Sequence, residues 1–158
     1  MRCQLIKFQI NAIGKLKKSP TLELIDEYRN RMKNSLEIFE FDLKKSANLP
    51  IDGVKAKEAE LLQSNLSKQS FVFAMDETGD LLTSHQFADL IQQKVERGFS
   101  SFAFIIGGAA GLDSSIRNSS DKVLALGKMT MPHMLARLIL VEQLYRAECI
   151  MNNHPYDK

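Results

Sequence analysis

The sequence predicts an α/β fold with a largely parallel sheet. Three observations carry that reading. Strand-like apolar runs alternate with helical patterns along the whole chain. One run, Phe102-Ala103-Phe104-Ile105-Ile106, is apolar at every position, as a strand covered on both faces must be. The 158 residues, 44% hydrophobic and 25% charged, suit one globular domain able to bury a sizeable core.

The elements follow in order. Gln4 to Ile13 is rich in branched and aromatic residues and stops at Gly14, which reads as a strand. Ser19 can cap a helix whose first position is Pro20, with Leu22, Ile25 and Met32 on its apolar face. Leu36 to Leu43 alternates as a second strand, and Ser46 to Gly53 reads as a polar loop. Val54 to Leu66 looks like a charged surface helix. Phe71 to Met75 is a third strand, expected to end at Asp76-Glu77-Thr78-Gly79. Thr83-x-x-Gln86 fits a capping box before Phe87, Leu90, Ile91 and Val95. After the apolar fourth strand come Gly107-Gly108-Ala109-Ala110-Gly111 and a short helix from Asp113. Lys122 to Leu126 is a fifth strand, and Met134 to Met151 is the longest helix. That helix is apolar on more than one stripe, so it needs cover on several sides, with a second subunit as one source.

Composition excludes several classes. The chain is neither disordered nor a disulfide scaffold. Cys3 and Cys149 lie at opposite ends without a CxxC partner and read as buried thiols. No 18-residue apolar run or signal-peptide pattern occurs, so a soluble cytoplasmic protein is expected. Three scattered histidines and two distant cysteines offer no metal site. The net charge of +2 selects no partner, although Lys15, Lys17 and Lys18 make the N-terminal region basic and permit phosphate contact.

In parallel sheets, ligands bind outside the carboxyl ends of the strands. That directs attention to Met75–Gly79, Gly107–Gly111 and Gly127–His133. The cluster G-G-x-x-G is neither GxGxxG nor a P-loop, and it comes too late for a dinucleotide fold. It is equally a tight turn or a backbone cradle for a small ligand. In Gly127-Lys128-Met129-Thr130-Met131-Pro132-His133, backbone groups could grip a ligand edge while the methionines line a slot or fill the core. His85 is expected in solvent. His133 opens the long helix and His154 lies in the tail. Glu142 and Arg146 form an i,i+4 pair, either on the surface or at an interface.

Four motifs then occur in a fixed order. They are Ile105-Ile106-Gly107-Gly108-x-x-Gly111-Leu112, Met131-Pro132-His133-x-Leu135-x-Arg137, Glu142-Gln143-Leu144-Tyr145-Arg146-Ala147 and Asn153-His154-Pro155-Tyr156. Together they resemble the RlmH family of large-subunit rRNA pseudouridine N3-methyltransferases, a branch of the SPOUT methyltransferases. The likeness spans the chain and is most specific in its C-terminal third.

The resemblance implies a single SPOUT-type α/β domain over residues 1–158 with a C-terminal trefoil knot. It implies a homodimer with active sites at the subunit interface, S-adenosylmethionine as cofactor, and a pseudouridine of 23S rRNA in the assembled ribosome as substrate. It places Met75, Gly107, Gly108, Leu126, Gly127, Lys128, Met129, Thr130, Met131 and Pro132 around the cofactor. It places His154 and Tyr156 near the target base, with His133, Arg137 and Arg146 around the dimeric site. The arginines would hold phosphates or the tail. No metal or membrane enters. Met75 stands where the family usually has leucine. Ala109-Ala110 replace the usual Pro-Glu, removing a loop carboxylate, and the tail ends in Asp157-Lys158 rather than further histidine or basic residues. The Ala-Ala change supports an alternative, a non-catalytic ribosome- or RNA-binding protein on the same fold.

Overall fold

The computed structural model describes residues 5–43 and 48–157. Cys3, the start of the first strand at Gln4, the start of the loop at Ser46 and the terminal Lys158 lie outside the described residues. Five parallel strands form one sheet in the order β2-β1-β4-β3-β5. They are β1 (Lys7–Ile13), β2 (Ser35–Phe41), β3 (Phe71–Leu81), β4 (Ser101–Ile106) and β5 (Lys122–Ala125). The helices are α1 (Pro20–Arg31), α2 (Ile51–Gln63), α3 (Ser84–Glu96), α4 (Ser114–Ser119) and α5 (His133–Met151), followed by a 3-10 turn over Pro155–Asp157.

The predicted caps form. Ser19 Oγ accepts from Leu22 N at 3.3 Å, and Thr83 and Gln86 exchange both bonds of a capping box. Two hydrophobic layers sandwich the sheet. On one face Ile25 of α1, Phe87 and Ile91 of α3, and Leu140, Val141 and Leu144 of α5 pack on Phe8, Phe73 and Phe104. On the other, Ala59 and Leu62 of α2 and Ile116 of α4 cover Ile13, Ala74 and Ile105. Phe102 to Ile106 is buried throughout because β4 lies between β1 and β3 and beneath both layers. No helix among the described residues is long and apolar enough to cross a membrane.

Two sequence expectations need correction. β3 does not end at Asp76–Gly79. It continues to Leu81, pairing Met75 with Leu124 and then, after a bulge, Asp80 with Leu124 and Leu81 with Ala125. Asp76 supplies the kink, since its Oδ1 accepts from Thr78 N at 2.9 Å and from Thr78 Oγ1 at 2.5 Å. These turn-forming residues interrupt the ladder without terminating the strand. Likewise α2 begins at Ile51, earlier than its charge pattern suggests, and is not wholly a surface helix: Glu58, Ala59 and Leu62 are buried.

Gly79 sits where β3 crosses β5. A Cβ there would stand 2.6 Å from Leu124 N. Real Cβ atoms do not approach backbone this closely, so glycine is required. Gly79→Ala is expected to destabilise the protein by about 2 kcal/mol through overpacking. Urea unfolding would register it, and an unchanged midpoint would mean that the crossing opens without cost.

Candidate functional site: a cavity at the carboxyl ends of the strands

β3, β4 and β5 deliver their carboxyl ends to one rim, as the parallel sheet requires. A cavity of about 680 Å³ opens there, within the range of small-molecule sites. Met75 and Ile106, register partners on β3 and β4, form part of its floor. Gly107 and Gly108 begin one wall. A Cβ on Gly107 would meet the Gly111 backbone at 3.0 Å, and Gly111 N donates to Gly108 O at 3.0 Å. Gly111 has φ +81°, which favours glycine. The cluster is therefore both a tight turn and a cavity wall.

The opposite wall is the loop between β5 and α5. Leu126, Gly127, Met129, Thr130, Met131, Pro132 and His133 all line the cavity, whereas Lys128 does not. The loop is tied to the β3 bulge: Thr130 Oγ1 donates to Glu77 Oε2 at 3.1 Å. Met129 is 81% exposed, so that methionine is not core filling.

Asp76, Glu77 and Thr78 of the β3 bulge line the cavity, within the Met75–Gly79 stretch that the sequence singled out; Lys55 of α2 and Arg117 of α4 also line it and escaped the sequence reading. Arg117 Nη1 pairs with Asp76 Oδ2 at 3.2 Å and also donates to Leu112 O. Burial works to raise the Asp76 carboxyl, but hydrogen bonds from Thr78 and Arg117 outweigh it and hold it below the usual carboxylate range. A signal existed in the chain, since Asp-x-Thr is a local turn pattern. The partner Arg117 lies 41 positions away and carries none.

Of the other candidates, His133 borders the cavity, and Arg137, Arg146, His154 and Tyr156 lie outside it. Arg137 is fully buried. It pairs with Glu40 at the end of β2 and donates to the carbonyls of Ile13 and Gly14 at the end of β1. Its side chain faces neither solvent nor the cavity. His133 opens α5 against Gly14; a Cβ on that glycine would lie 3.2 Å from His133 Nε2.

His154, Tyr156 and Arg146 gather at the far end of α5. The helix stops in a Schellman motif. Asn153 adopts φ 53°, its N–H bonds Ile150 O, and His154 N–H bonds Cys149 O at 2.8 Å. Pro155 prevents further helix and turns the chain back onto α5. There the Tyr156 hydroxyl donates to Glu142 Oε1 at 3.0 Å, and the Arg146 guanidinium stacks over the Tyr156 ring at 4.9 Å. Arg146 also bonds Glu142 at 2.6 Å and Asp157 at 3.3 Å. His85, exposed as expected, reaches Asp157 at 2.8 Å. Burial and the hydrogen bonds to Tyr28 and Glu142 push the Tyr156 phenol well up, so it stays protonated. The Glu142–Arg146 pair is thus engaged with the tail. At about 1.5 Å per residue, the two α5 side chains that hold Tyr156, Glu142 and Arg146, lie about 14 Å and about 20 Å along the axis from His133, and the helix end that precedes His154 lies about 27 Å away. Within one chain the tail and the cavity are apart.

A parallel sheet of this order, with a glycine turn after β4 and a second loop entering the last helix, places a cavity of small-molecule size at the strand ends. The chain belongs to the SPOUT methyltransferases: the family described as "Predicted SPOUT methyltransferase" matches residues 6–157. Among its relatives is a protein of Natranaerobius thermophilus named ribosomal RNA large subunit methyltransferase H, 38% identical over 96% of this chain and 99% of the relative. Proteins of the same name from Streptococcus equi subsp. zooepidemicus and Rhodospirillum rubrum are 36% and 39% identical, each over 97% of this chain and over 100% and 99% of their own lengths.

The Asp76 pairing has a pH signature. A carboxyl held below its ordinary pKa contributes stability that is fully present above that ordinary value. The contribution is lost as pH falls through the lowered one. Asp76→Asn is therefore expected to flatten the acid limb of stability below the usual carboxylate range. Thermal melts of both proteins across that range would check this, and parallel curves would remove Asp76 from the linkage.

Proposed function

We propose that this protein methylates N3 of a pseudouridine in large-subunit ribosomal RNA, with S-adenosylmethionine as donor and the assembled ribosome as substrate. The observation that carries the reading is the cavity at the strand ends, walled by the two loops of the family motif. The names of its relatives supply the RNA.

The residues suit that donor. Met75, Ile106, Leu126 and Met131 present apolar surface for an adenine. The loop from Leu126 to Pro132 offers backbone groups for its polar edge, and Lys128 takes part through its main chain. Gly107 and Gly108 allow close backbone approach. Asp76, Glu77 and Thr78, and Lys55 and Arg117, bring both charge signs to the remainder. When bound, S-adenosylmethionine supplies an electrophilic sulfonium methyl group. The chain's own task is to hold, orient and exclude water.

The imide N3 must also lose a proton. His133 lines the same cavity, so it takes the role of base. His154 and Tyr156 lie too far along α5 to act in their own cavity. We assign them to the cavity of a second copy in a homodimer, where the protonated Tyr156 can donate a hydrogen bond to the target base. In this reading Arg146 holds the tail and Arg137 the framework, rather than phosphate. Leu135, exposed, and Leu138 and Ile139, half-buried on α5, form part of the subunit contact. The segment from β4 to α5 carries the knot implied by the resemblance. Exposed Lys15, Lys17 and Lys18 touch RNA, and the low net charge leaves the ribosome to supply most of the recognition surface. The site of action is the cytoplasm.

The direct test is methyl transfer from labelled S-adenosylmethionine to ribosomes lacking the modification, with free rRNA in parallel. Label is expected at the pseudouridine of assembled ribosomes only, with His133→Ala slower by about 10²-fold in kcat. No label together with no cofactor binding would leave the non-catalytic binding protein.

The shared site gives a second prediction. Gly108→Val and the double variant His154→Ala/Tyr156→Phe are each expected to be inactive alone. Mixed in one preparation, they should recover roughly a quarter of the wild-type rate, through one working site per mixed dimer. No recovery would place the tail's action within its own chain.

A further inference from the structure

Lys55, Asp76, Glu77 and Arg117 all line the cavity, and only part of their charge is matched within the chain. Arg117 Nη1 is committed to Asp76 at 3.2 Å and to Leu112 O at 3.1 Å. Glu77 accepts from Thr130. Lys55 is half-buried and makes no ion pair among the described residues. The fold explains where this lysine stands. α2 joins two strands of one parallel sheet, so it runs back along the sheet and starts at the carboxyl rim. Lys55, Glu58, Ala59 and Leu62 follow at helical spacing on one stripe, and the last three are buried. That stripe packs on the glycine turn: a Cβ on Gly108 would lie 3.0 Å from Glu58 Oε1. Lys55 is one turn nearer the helix start and enters the cavity beside the turn. The turn offers it no carboxylate, since Ala109 and Ala110 are the side chains it adds to the lining. Asp113, which starts α4, instead accepts from Ser115 N at 2.8 Å.

We propose that Lys55 Nζ binds the α-carboxylate of S-adenosylmethionine and makes the cavity select for ligands that keep this group. The inference rests on the reading of the cavity as a cofactor site. The ligand presents one anionic group, the carboxylate, alongside an ammonium and a sulfonium. Of the lysine and arginine side chains in the lining, Lys55 is the one with no carboxylate already bound to it. A half-buried ammonium without an anionic partner has lost part of its hydration, and a ligand carboxylate offsets that loss through a charge-assisted hydrogen bond. The apolar surface at Met75, Ile106, Leu126 and Met131 takes the adenine, which leaves the charged end of the ligand to the wall where α2 meets the turn. A lysine stem also suits a rim position, because its methylenes pack while its charge stays in the opening.

Decarboxylated S-adenosylmethionine is the deciding probe, because it keeps the adenosine, sulfonium and amine and lacks only the carboxylate. Calorimetric titrations with both ligands compare wild type, Lys55→Met, Lys55→Gln and Arg117→Gln, and circular dichroism monitors folding. Wild type is expected to bind S-adenosylmethionine about tenfold more tightly than the decarboxylated ligand. Lys55→Met and Lys55→Gln should bind the two ligands within about twofold of each other, through weaker binding of S-adenosylmethionine alone. Arg117→Gln should keep the preference, since its charge is already answered by Asp76. A preference that survives in the Lys55 variants and vanishes in Arg117→Gln would overturn the proposal by moving the carboxylate to Arg117. Equal affinity of wild type for the two ligands would overturn it even if every variant failed to fold. Wild type that binds neither ligand would instead sink the cofactor reading itself.

Discussion

The buried guanidinium of Arg137 is the interaction on which the rest of the arrangement depends. It joins three elements that are distant in sequence. Glu40 closes β2, the carbonyls of Ile13 and Gly14 close β1, and Arg137 itself lies one turn into α5. A charge with no solvent access persists only when it is paired and hydrogen-bonded, so its position is strictly specified. Burial lowers its pKa while Glu40 opposes the shift, and the group remains a cation. Such a pair is weak evidence for net stability, because desolvation offsets much of the attraction. Its effect is geometric. It sets where α5 begins, and hence where the loop before α5 meets the glycine turn.

From that anchor the two ends of α5 acquire different characters. The N-terminal end borders the cavity, with His133 and Ala136 in its lining. The C-terminal end receives the tail, folded back by the Schellman turn and Pro155. There Arg146 is saturated by Glu142 and Asp157, and Tyr156 sits between Tyr145, at 4.7 Å between ring centroids, and Arg146. Among the described residues the tail's side-chain partners Tyr28, His85, Glu142 and Arg146 belong to α1, α3 and α5, and Tyr156 N also bonds His154 within the tail. A rigid C-terminus presented outward is suited to completing a site on another molecule.

Local physics made much of this visible in the sequence. Ser19-Pro20, Thr83-x-x-Gln86 and the uniformly apolar 102–106 run each obey short-range rules, and each forms as those rules require. The ligand-facing rim followed from the parallel sheet, so nine of the ten residues assigned to the cofactor by resemblance line one cavity. What escaped was long-range pairing. Asp76-Glu77-Thr78-Gly79 reads as a strand end because its turn chemistry is local. The continuation to Leu81 depends on β5, more than forty residues later in the chain. Glu58 reads as a solvent charge because neighbouring lysines and glutamates hide a period-3.6 buried face that only Ala59 and Leu62 betray. Arg137 resembles a phosphate ligand in a basic motif, and nothing nearby in sequence announces Glu40 as its partner.

The strand order also bears on how the chain reaches this state. β1 is synthesised first, and β2 can pair with one of its edges early. Its other edge is taken by β4, with Phe8 opposite Phe102. More than ninety residues must emerge before that partner exists. Until then β1 exposes an unpaired, strongly apolar edge flanked by Phe8 and Ile10. Non-local parallel pairing of this kind slows folding, and open edges invite association with other chains. The same insertion of β4 that shields the finished core therefore leaves the nascent protein most dependent on cellular protection during the interval between its first and fourth strands.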